Sequence, residues 1–410
     1  MKRVYLFSPI PYAFLRQRPQ HLADRFRTLG CAVTYIEPSG FLEYVAGRKK
    51  GILRLLTVSL MYFIAGVLAL AFPALRHRSR KRTRLPADRP DFTIVELPVV
   101  YPTNRVDSPL LEKLNASIFR QAIKRRILDA QSGGEDSYAI VQNPFFGLVL
   151  DRGDFERICY DCLDDLIIYA GNASVERFAS YERRLLGMTN VVSVTADKLE
   201  QHVLNARPDV PVVRVPNGVD FEWFQDRFRK GSPPIDVRDV QRPIVGYVGI
   251  LATWFDYELV AEVARCLPNV SVVVVGPLDF EYRIAHLKNI PNLSWLGRKP
   301  YEEVPLYVSS FDVCMIPFHH ERISQTTNPV KIYEYFAFGK PVVSTPLHEL
   351  EAFAKDNLVY MRERVEPFVG AVCEALDEKD ESLRHRRQAV ARENSWEHHA
   401  RTLLDALKNC

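Results

Sequence analysis

The chain has 410 residues, which is long for a single hydrophobic core, so we expect two domains. Its 47% hydrophobic and 25% charged residues are those of an ordinary globular protein and exclude the disordered and fibrous classes. The formal net charge is only +4, but the basic residues concentrate in the first third of the chain. This asymmetry indicates an anionic partner on one side of the N-terminal half.

The cysteines and the N-terminus restrict the compartment and the chemistry. The seven cysteines are scattered, and Cys159 and Cys162 are the only pair with C-x-x-C spacing. A zinc site would need a second pair, and strand residues three apart face opposite ways, so we expect neither metal nor redox use. Free thiols in this number fit a reducing cytosol. The apolar run in residues 1–9 is too short for a signal peptide and predicts a first strand.

Strands alternate with helices through the N-terminal half. After the first strand we expect a loop at 8–17, a helix at 19–29 and strands at 31–36, 91–97, 138–142, 157–161, 191–194 and 212–215. This alternation predicts a doubly wound parallel sheet, in which ligands bind where strands end. The loop that carries Phe14, Arg16 and Arg18 should therefore face a cleft between the domains.

Two sets of polar side chains in this half are candidates for the reaction. Asp161, Asp164 and Asp165 follow the strand at 157–161, at the edge of the sheet where chemistry occurs in this architecture. A solvated acidic turn is the alternative for this loop. His21, in the first turn of the predicted helix, is a candidate catalytic base or acceptor contact, and a structural surface residue is the alternative.

The most unusual segment is an almost unbroken apolar run at 55–75, which lies within a basic insertion at 48–85. As a helix the run would be about 30 Å long, enough to span a bilayer. The strands before and after it must join one sheet, and basic residues on both flanks keep both ends cytoplasmic, so a span is excluded. Two interpretations remain: a helix that lies in an anionic leaflet, and a buried inserted helix.

The C-terminal half starts the alternation again. Residues 223–242 are polar and contain prolines, so we interpret them as a linker between a domain at 1–222 and a domain at 243–394. We predict strands at 244–248, 270–275, 293–296, 313–316 and 341–344, with a helix at 257–266.

The stretch 326–345 combines a helix with a buried strand. Asn328 is a good N-cap, Pro329 suits the first helical position, and Gly339 ends the helix before an apolar strand. The free N–H groups at the start of such a helix suit a diphosphate. Glu334, one to two turns deeper, is placed to accept hydrogen bonds from vicinal hydroxyls such as those of a ribose.

These residues also carry a resemblance to a known family. The helical Glu334 followed by a Gly-Lys-Pro-Val-Val strand start is similar to the nucleotide-sugar site of GT-B glycosyltransferases of the "glycosyltransferase group 1" type. Further matching motifs stand at 18–23, 160–165, 215–220, 246–249 and 296–298, and the chain resembles the teichuronic acid and exopolysaccharide branch. An ordinary βαβ unit of another Rossmann-like protein is the alternative for the helix and strand alone.

The resemblance implies a fold and a set of site residues. It implies two Rossmann-like domains that face a cleft, with the acceptor on the first, the nucleotide sugar on the second, and a C-terminal helix at 395–410 that returns to the first. The donor-binding candidates are Gly249, Arg298, Arg322, Asn328, Lys331 and Glu334, the catalytic candidates are Asp164, Asp165 and His21, and the acceptor-binding candidates are Phe14, Arg16 and Arg18. His319, His320 and Glu321 are candidates for contact with the hexose.

The chain departs from the family pattern at the points that handle charge. No Arg and Lys follow the strand at 244–248, the first domain lacks the usual Gly-Gly loop, and Thr326 stands where the first of two paired glutamates would be expected. No Asp-x-Asp motif stands in a metal-binding context. We therefore expect cations, Lys331 foremost, rather than a metal ion or another cofactor to neutralise the donor diphosphate.

The sequence thus predicts a glycosyltransferase that moves a sugar from a nucleotide-diphosphate donor to a polyprenyl-diphosphate-linked saccharide in cell-surface or exopolysaccharide biosynthesis. The resemblance implies a retaining reaction. We expect the protein to associate peripherally with the anionic inner face of the cell membrane through 48–85, with no nucleic acid partner. A soluble or protein acceptor, and a non-catalytic subunit of a membrane complex, are the alternatives.

Overall fold

The computed structural model describes residues 2–38, 91–97, 109–130, 136–165, 174–278, 284–319, 325–363 and 365–410. The chain divides into two compact units. The first comprises Met1–Val194, Leu199–Arg214 and Ala400–Cys410, and the second comprises Thr195–Lys198 and Val215–His399. The insertion 48–85 lies outside the described residues. Within the described ranges, no helix is both long enough and apolar enough to cross a membrane.

The described residues of the first unit form a seven-stranded parallel sheet in the order β3-β2-β1-β4-β5-β6-β7. The strands are β1 (Arg3–Phe7), β2 (Ala32–Pro38), β3 (Phe92–Leu97), β4 (Ser137–Val141), β5 (Arg157–Cys162), β6 (Val191–Val194) and β7 (Val212–Arg214). The central strands are apolar on both faces because helices cover both sides of a parallel sheet. The strand order reverses between β1 and β4.

The helices α1 (Arg18–Thr28), α2 (Pro109–Arg126), α3 (Val175–Met188) and α4 (Asp197–Ala206) connect these strands, together with short 3-10 helices at Leu128–Ala130 and Pro144–Leu148. Helix α1 buries Leu22 and Phe26 completely. Helix α3 starts at Ser174, whose hydroxyl accepts a hydrogen bond from the Arg177 N–H. Such a cap satisfies one of the free donors that every helix start leaves open.

The second unit has a six-stranded parallel sheet among its described residues, in the order β10-β9-β8-β11-β12-β13. Its strands are β8 (Ile244–Val248), β9 (Ser271–Val275), β10 (Leu293–Gly297), β11 (Val313–Ile316), β12 (Val342–Ser344) and β13 (Val359–Met361). Strand order reverses between β8 and β11. The two sheets confirm the predicted doubly wound α/β class.

The helices of this unit are α5 (Phe221–Lys230), α6 (Ile235–Arg238), α7 (Tyr257–Cys266), α8 (Val304–Ser310), α9 (Val330–Phe336), α10 (Glu351–Lys355), α11 (Glu366–Leu376), α12 (Glu381–Glu393) and the start of α13 (Trp396–Lys408). Short 3-10 helices lie at Ala285–Leu287, Tyr301–Glu303 and His348–Leu350. Residues 400–410, which include the end of α13, belong to the first unit.

The structure corrects two expectations for the second unit. The linker predicted at 223–242 contains helix α5, whose Phe221 and Phe224 are buried in the core of this unit. The polar residues suggested a linker because they form the exposed side of an amphipathic helix. Strand β13 was not predicted at all, since its three residues form too short an apolar run to be recognised.

Candidate functional site

The second sheet forms a crevice where β8 and β11 meet. In open parallel sheets the connections leave neighbouring strands in opposite directions at such a point, and ligands bind outside the carboxyl ends of those strands. Strand β8 ends at Val248 and is followed by Gly249, while β11 ends at Ile316 and is followed by Pro317 and Phe318. A residue that binds the donor is therefore expected to lie near the ends of β8 and β11.

Gly249 and Gly276 form the floor of the crevice, and both positions require glycine. Gly249 has φ +156° and Gly276 has φ +152°, values that side-chain-bearing residues rarely adopt. A Cβ atom at Gly276 would lie only 1.8 Å from the Gly249 carbonyl oxygen. A Cβ atom at Gly249 would lie 2.9 Å from Cε of Lys331. The glycines therefore allow the two loops to approach each other and leave space for the lysine side chain.

Lys331 lies above this floor, in the first turn of α9. Its ammonium nitrogen is 5.3 Å from the centre of the Tyr247 ring and 4.9 Å from the centre of the Phe318 ring. Aromatic faces attract cations, so the two rings hold the ammonium group at the strand ends without neutralising its charge. This leaves the full positive charge available to an anionic ligand.

Glu334 follows Lys331 by one turn and is itself buried. Burial raises the pKa of Glu334, the nearby Lys331 ammonium opposes that rise, and the Asp220 carboxylate adds to it. Burial likewise lowers the pKa of Lys331, while Glu334 opposes the decrease. Each group thus stabilises the charged form of the other. The nearby Tyr301 hydroxyl also opposes the rise in the pKa of Glu334.

The start of α9 differs from the prediction. The structure places Pro329 at the N-cap and Val330 at the first helical position, and no side chain caps the helix. The buried Asn328 side chain instead accepts a hydrogen bond from the Asn217 N–H at 3.0 Å and donates one to the Tyr333 hydroxyl at 3.2 Å. Asn328 therefore has a structural role here, because its amide is committed to protein partners. Gly339 follows the helix with φ +65°, the left-handed conformation of a helix stop.

The other donor candidates are more distant or outside the described ranges. Arg298 is exposed and follows β10, the edge strand, which is separated from β8 by β9. Thr326 is buried, and His319 lies with its Nδ1 atom 3.5 Å from the Asp256 carboxylate. Arg322, His320 and Glu321 fall outside the described residues. Of the predicted donor residues that the structure describes, it brings Gly249, Lys331 and Glu334 together.

In the first unit, a buried polar network occupies the ends of β4, β5 and β6. Arg18 donates two hydrogen bonds to the Asp161 carboxylate, at 3.0 Å and 2.9 Å. Gln142 and Ser193 donate to the same carboxylate at 2.9 Å and 2.6 Å. Arg18 is only 3% exposed, so the expectation that it contacts the acceptor is corrected: its guanidinium group holds α1 to the sheet. Such a bidentate buried pair is costly to break from either side.

Asp164 and Asp165 follow this network. Asp165 is buried, whereas Asp164 is partly exposed. Burial raises the pKa of Asp164 to about 7, the Asp165 carboxylate adds to the rise, and Arg18 opposes it. A carboxyl group that titrates near neutral pH is suited to exchange a proton with a hydroxyl group. Asp164 is therefore the stronger of the two candidate catalytic carboxylates.

The remaining candidates of the first unit have different surroundings. His21 is only 1% exposed, so the surface position that was the alternative is wrong, and its role in catalysis stays a prediction. Arg16 donates to the Asp24 carboxylate at 2.6 Å. Phe14 is 48% exposed and is free to contact an apolar or saccharide ligand. Cys159 and Cys162 are buried, and burial raises the pKa of both thiols.

Among the described residues, one group of side chains could hold a metal ion. Asp197, His348 and Glu349 have potential ligand atoms that all lie within 4.8 Å of one another. Glu349 already accepts a hydrogen bond from the Asp197 N–H at 2.8 Å. This group shares no residue with the crevice that holds Lys331 and Glu334.

Comparison with known proteins agrees with the crevice geometry. Residues 242–378, which include β8 to β13 and α9, match the family model described as Glycosyl transferases group 1. The chain is therefore a glycosyltransferase, and its residues 242–378 are similar to the group 1 family. A relative named as a teichuronic acid biosynthesis glycosyltransferase, TuaH of Bacillus subtilis strain 168, is 27% identical to it over 311 residues. The match covers 70% of this chain and 73% of TuaH.

Solved structures establish the fold of the glycosyltransferase as GT-B. WaaG, a glycosyltransferase involved in lipopolysaccharide biosynthesis, aligns with a TM-score of 0.61 at 12% identity and covers 100% of both chains. HepE of Anabaena, solved in complex with UDP-glucose, aligns with a TM-score of 0.59 at 13% identity, again over 100% of both chains. At these identities the likeness concerns the fold alone.

Sequence reasoning missed three residues of the crevice. Tyr247 and Phe318 read as ordinary core residues of apolar strands, and Tyr301 lies in a short 3-10 helix that carries no motif. Tyr247 and Phe318 lie directly before and after a strand end, and this position could have marked them as site residues. No local signal could have revealed that Tyr301 meets Glu334, because the contact joins residues far apart in the chain.

Proposed function

We propose that the glycosyltransferase takes a nucleotide-diphosphate sugar as donor and places its diphosphate on Lys331 and its ribose on Glu334. The single observation that supports this most strongly is the presence of both side chains on one helix at the β8–β11 crevice. An ammonium group one turn before a carboxylate matches a ligand that carries an anionic diphosphate next to a sugar diol. The glycine floor gives the ligand access to the backbone.

The departing diphosphate must be stabilised as its bond to the sugar breaks. Lys331 supplies a fixed positive charge that is already oriented by Tyr247 and Phe318. Such preorganisation lowers the barrier because the site does not have to reorganise when charge develops. We propose that this cation, rather than a metal ion, stabilises the leaving group. Arg298 and Arg322 remain secondary candidates for the same role.

We further propose that the acceptor is a polyprenyl-diphosphate-linked saccharide at the inner face of the cell membrane. The apolar and basic composition of 48–85 suits an amphiphilic, anionic substrate and its membrane. The similarity to TuaH favours a role in cell-surface polysaccharide biosynthesis. Asp164 is the proposed proton acceptor for the attacking hydroxyl group. Retention of the anomeric configuration is proposed from the family resemblance, and the anomer of the product tests it.

A ligand screen tests the donor assignment. The purified protein is heated with each member of a panel of nucleotide-diphosphate sugars, and the melting temperature is recorded against ligand concentration. A ligand that binds only the folded state stabilises it by about 2.7 kcal/mol at 100 times its Kd. We expect one nucleotide class to raise the melting temperature, and the Lys331→Met variant to respond less. If no member of the panel raises it at millimolar concentration, the proposal is wrong.

A transfer assay tests the acceptor. The donor identified by the screen, labelled in its sugar, is incubated with the enzyme and either a polyprenyl-diphosphate-linked saccharide or the same saccharide without lipid. We expect faster incorporation with the lipid-linked acceptor. Equal rates with both would replace the proposed acceptor with a soluble one.

A further inference from the structure

Helix α9 carries Lys331 and Glu334, but its position depends on contacts with other parts of the second unit. It has only seven residues and starts without a side-chain cap. A helix of this length is not stable alone, so surrounding contacts must determine where its side chains lie. One stretch of the second unit, residues 217–225, supplies such contacts at both ends of the helix.

Asn217 holds the start of α9. Its backbone N–H donates to the Asn328 side-chain oxygen at 3.0 Å, and its side-chain Nδ2 donates to the Asn328 carbonyl at 2.7 Å. Asn328 is only two residues before the helix and is buried. These two hydrogen bonds, both donated by Asn217, therefore fix the side chain and the backbone of Asn328, just before α9 begins.

Gln225 holds the other end. Its side-chain Nε2 donates to the carbonyl of Ala337, the C-cap residue of α9, at 2.5 Å. The last carbonyl groups of a helix have no partners within the helix, so this bond satisfies one of them. Asn217 and Gln225 thus bracket a helix whose two functional side chains lie between them.

The same stretch also packs against a neighbour of Glu334. The Trp223 ring stacks on the Tyr301 ring with their centres 5.3 Å apart and an interplanar angle of 5°. The Tyr301 hydroxyl lowers the pKa of Glu334, so it lies close to that carboxyl group. Trp223 therefore supports a residue beside Glu334.

Residues 217–225 are held in turn by hydrogen bonds to Asn394 and Trp396. The Val219 N–H donates to the Asn394 carbonyl at 3.0 Å, and the Trp396 N–H donates to the Val219 carbonyl at 3.3 Å. A Cβ atom at Gly218 would lie 2.3 Å from the Asn394 oxygen, so glycine permits this close approach. Neither Asn217 nor Gly218 has a positive φ. Glycine is needed at position 218 because a side chain there would collide with the Asn394 backbone.

From these contacts we propose that Asn217 is a positioning residue of the donor site. It acts through Asn328 and α9, and it determines where Lys331 meets the donor diphosphate. The inference rests on the proposed donor site. Gln225 assists at the far end of the helix, and Trp223 assists through Tyr301.

The test compares Asn217→Ala with a matched structural variant. Asn292, like Asn217, is a partly buried asparagine of the second unit, and its side-chain amide donates to the carbonyls of Ala264, Leu267 and Val270 at 2.9, 3.0 and 2.7 Å. Both Ala variants should lose thermal stability. Only Asn217→Ala should also raise the Kd of the donor nucleotide, by about 5- to 10-fold at a temperature where all the proteins are folded. Asn217→Asp, which keeps the size but loses the Nδ2 donor, should behave like Asn217→Ala.

A double-mutant cycle separates positioning from general loosening. If Asn217 acts through Lys331, the Asn217→Ala change should cost much less affinity in a Lys331→Met background than in the wild type. An equal loss in both backgrounds would overturn the inference. So would an unchanged nucleotide Kd in folded Asn217→Ala and Asn217→Asp proteins, while the wild type binds. A wild type that binds no nucleotide would instead refute the proposed function, on which the inference depends. If both Asn217 variants fail to fold, Gln225→Ala serves in the same cycle with the same expected coupling.

Discussion

The Lys331 ammonium nitrogen lies 4.9 Å from the centre of the Phe318 ring. Phe318 lies just after β11 and Lys331 lies in the first turn of α9, which follows β11 in the chain. The two residues lie at the point where the order of the second sheet reverses. The contact favours the charged form of this lysine, as does the nearby Glu334 carboxylate, whereas burial lowers the lysine's pKa. It also locates the positive charge where a donor diphosphate is proposed to bind.

Glu334→Gln should reduce kcat/KM for the donor by about 10-fold or more while the fold remains intact. A neutral amide accepts hydrogen bonds from ribose hydroxyls less strongly than a carboxylate does. Steady-state kinetics with varied donor, together with circular dichroism, measure the effect. Glu381→Gln, on the exposed side of α12, is the matched control and should be neutral. Wild-type kinetics in Glu334→Gln would remove the ribose assignment.

Activity should persist after incubation with EDTA, because Lys331 is proposed to neutralise the diphosphate. Lys331→Met should instead lower the rate strongly, and added magnesium should restore little of it. The assay is initial rate with and without chelator, followed by addition of Mg²⁺ or Zn²⁺. Complete inhibition that metal reverses would show that an ion supports the reaction. Variants of Asp197 and His348 would then test whether that ion binds at the acidic group of the second unit.

The rate should depend on pH through Asp164. Because the pKa of this carboxyl group is raised to about 7, it is protonated below that pH and cannot accept a proton. We therefore expect kcat/KM to rise as pH increases through about 7, and to fall again above about 8, where Lys331 loses the charge that the proposed reaction needs. Asp164→Asn should lose most activity and lack this rise. A wild-type profile that is flat between pH 5.5 and 8.5, about 1.5 units on either side of 7, would exclude Asp164 as the base.

The raised pKa of Asp164 also affects stability, but in the opposite direction: its contribution to stability falls as pH rises. The folded protein favours the neutral carboxyl group, so this group's contribution to stability is complete below its unfolded pKa of about 4. The contribution is lost as pH rises through about 7. At pH 8, urea denaturation should thus find Asp164→Asn at least as stable as the wild type. A clearly lower free energy of unfolding in this variant would mean that the charged carboxylate makes favourable contacts.

The insertion 48–85 should bind anionic vesicles more strongly than neutral ones. Its apolar run supplies hydrophobic burial, and each nearby cation adds about 1 kcal/mol at an anionic surface. Co-sedimentation measures binding, and molar salt should release the protein only in part because salt screens the charges alone. The cations to replace with Gln are Arg76, Arg78, Arg80, Lys81, Arg82 and Arg84. That replacement should mimic high salt.

Deletion of 52–84 distinguishes the two interpretations of this segment. If it lies in the leaflet, the shortened protein should fold, bind nucleotide and use a lipid-linked acceptor poorly. If it is a core helix, the shortened protein should misfold, and the intact protein should ignore vesicles of either charge. The second outcome would favour a soluble acceptor.

Local sequence determined the class of the fold and the position of Glu334. Apolar runs such as Val313–Ile316 predict buried parallel strands because both faces of such a sheet are covered by helices. The helix stop at Gly339 followed by Pro341 marks the helix that carries Glu334, and both signals act within a few residues. The structure shows the same strand, glycine conformation and helix end.

The tertiary structure alone decided which polar groups meet. Arg18 and Asp161 are 143 residues apart, and Asn217 and Asn328 are 111 residues apart. Each of these side chains, seen locally, suits a cap, a turn or a ligand contact equally well. The order of the strands determines which loops lie side by side, and burial then requires every polar group to find a partner among them. For this reason the sequence could mark the helix that is proposed to bind the donor, but not what holds that helix in place.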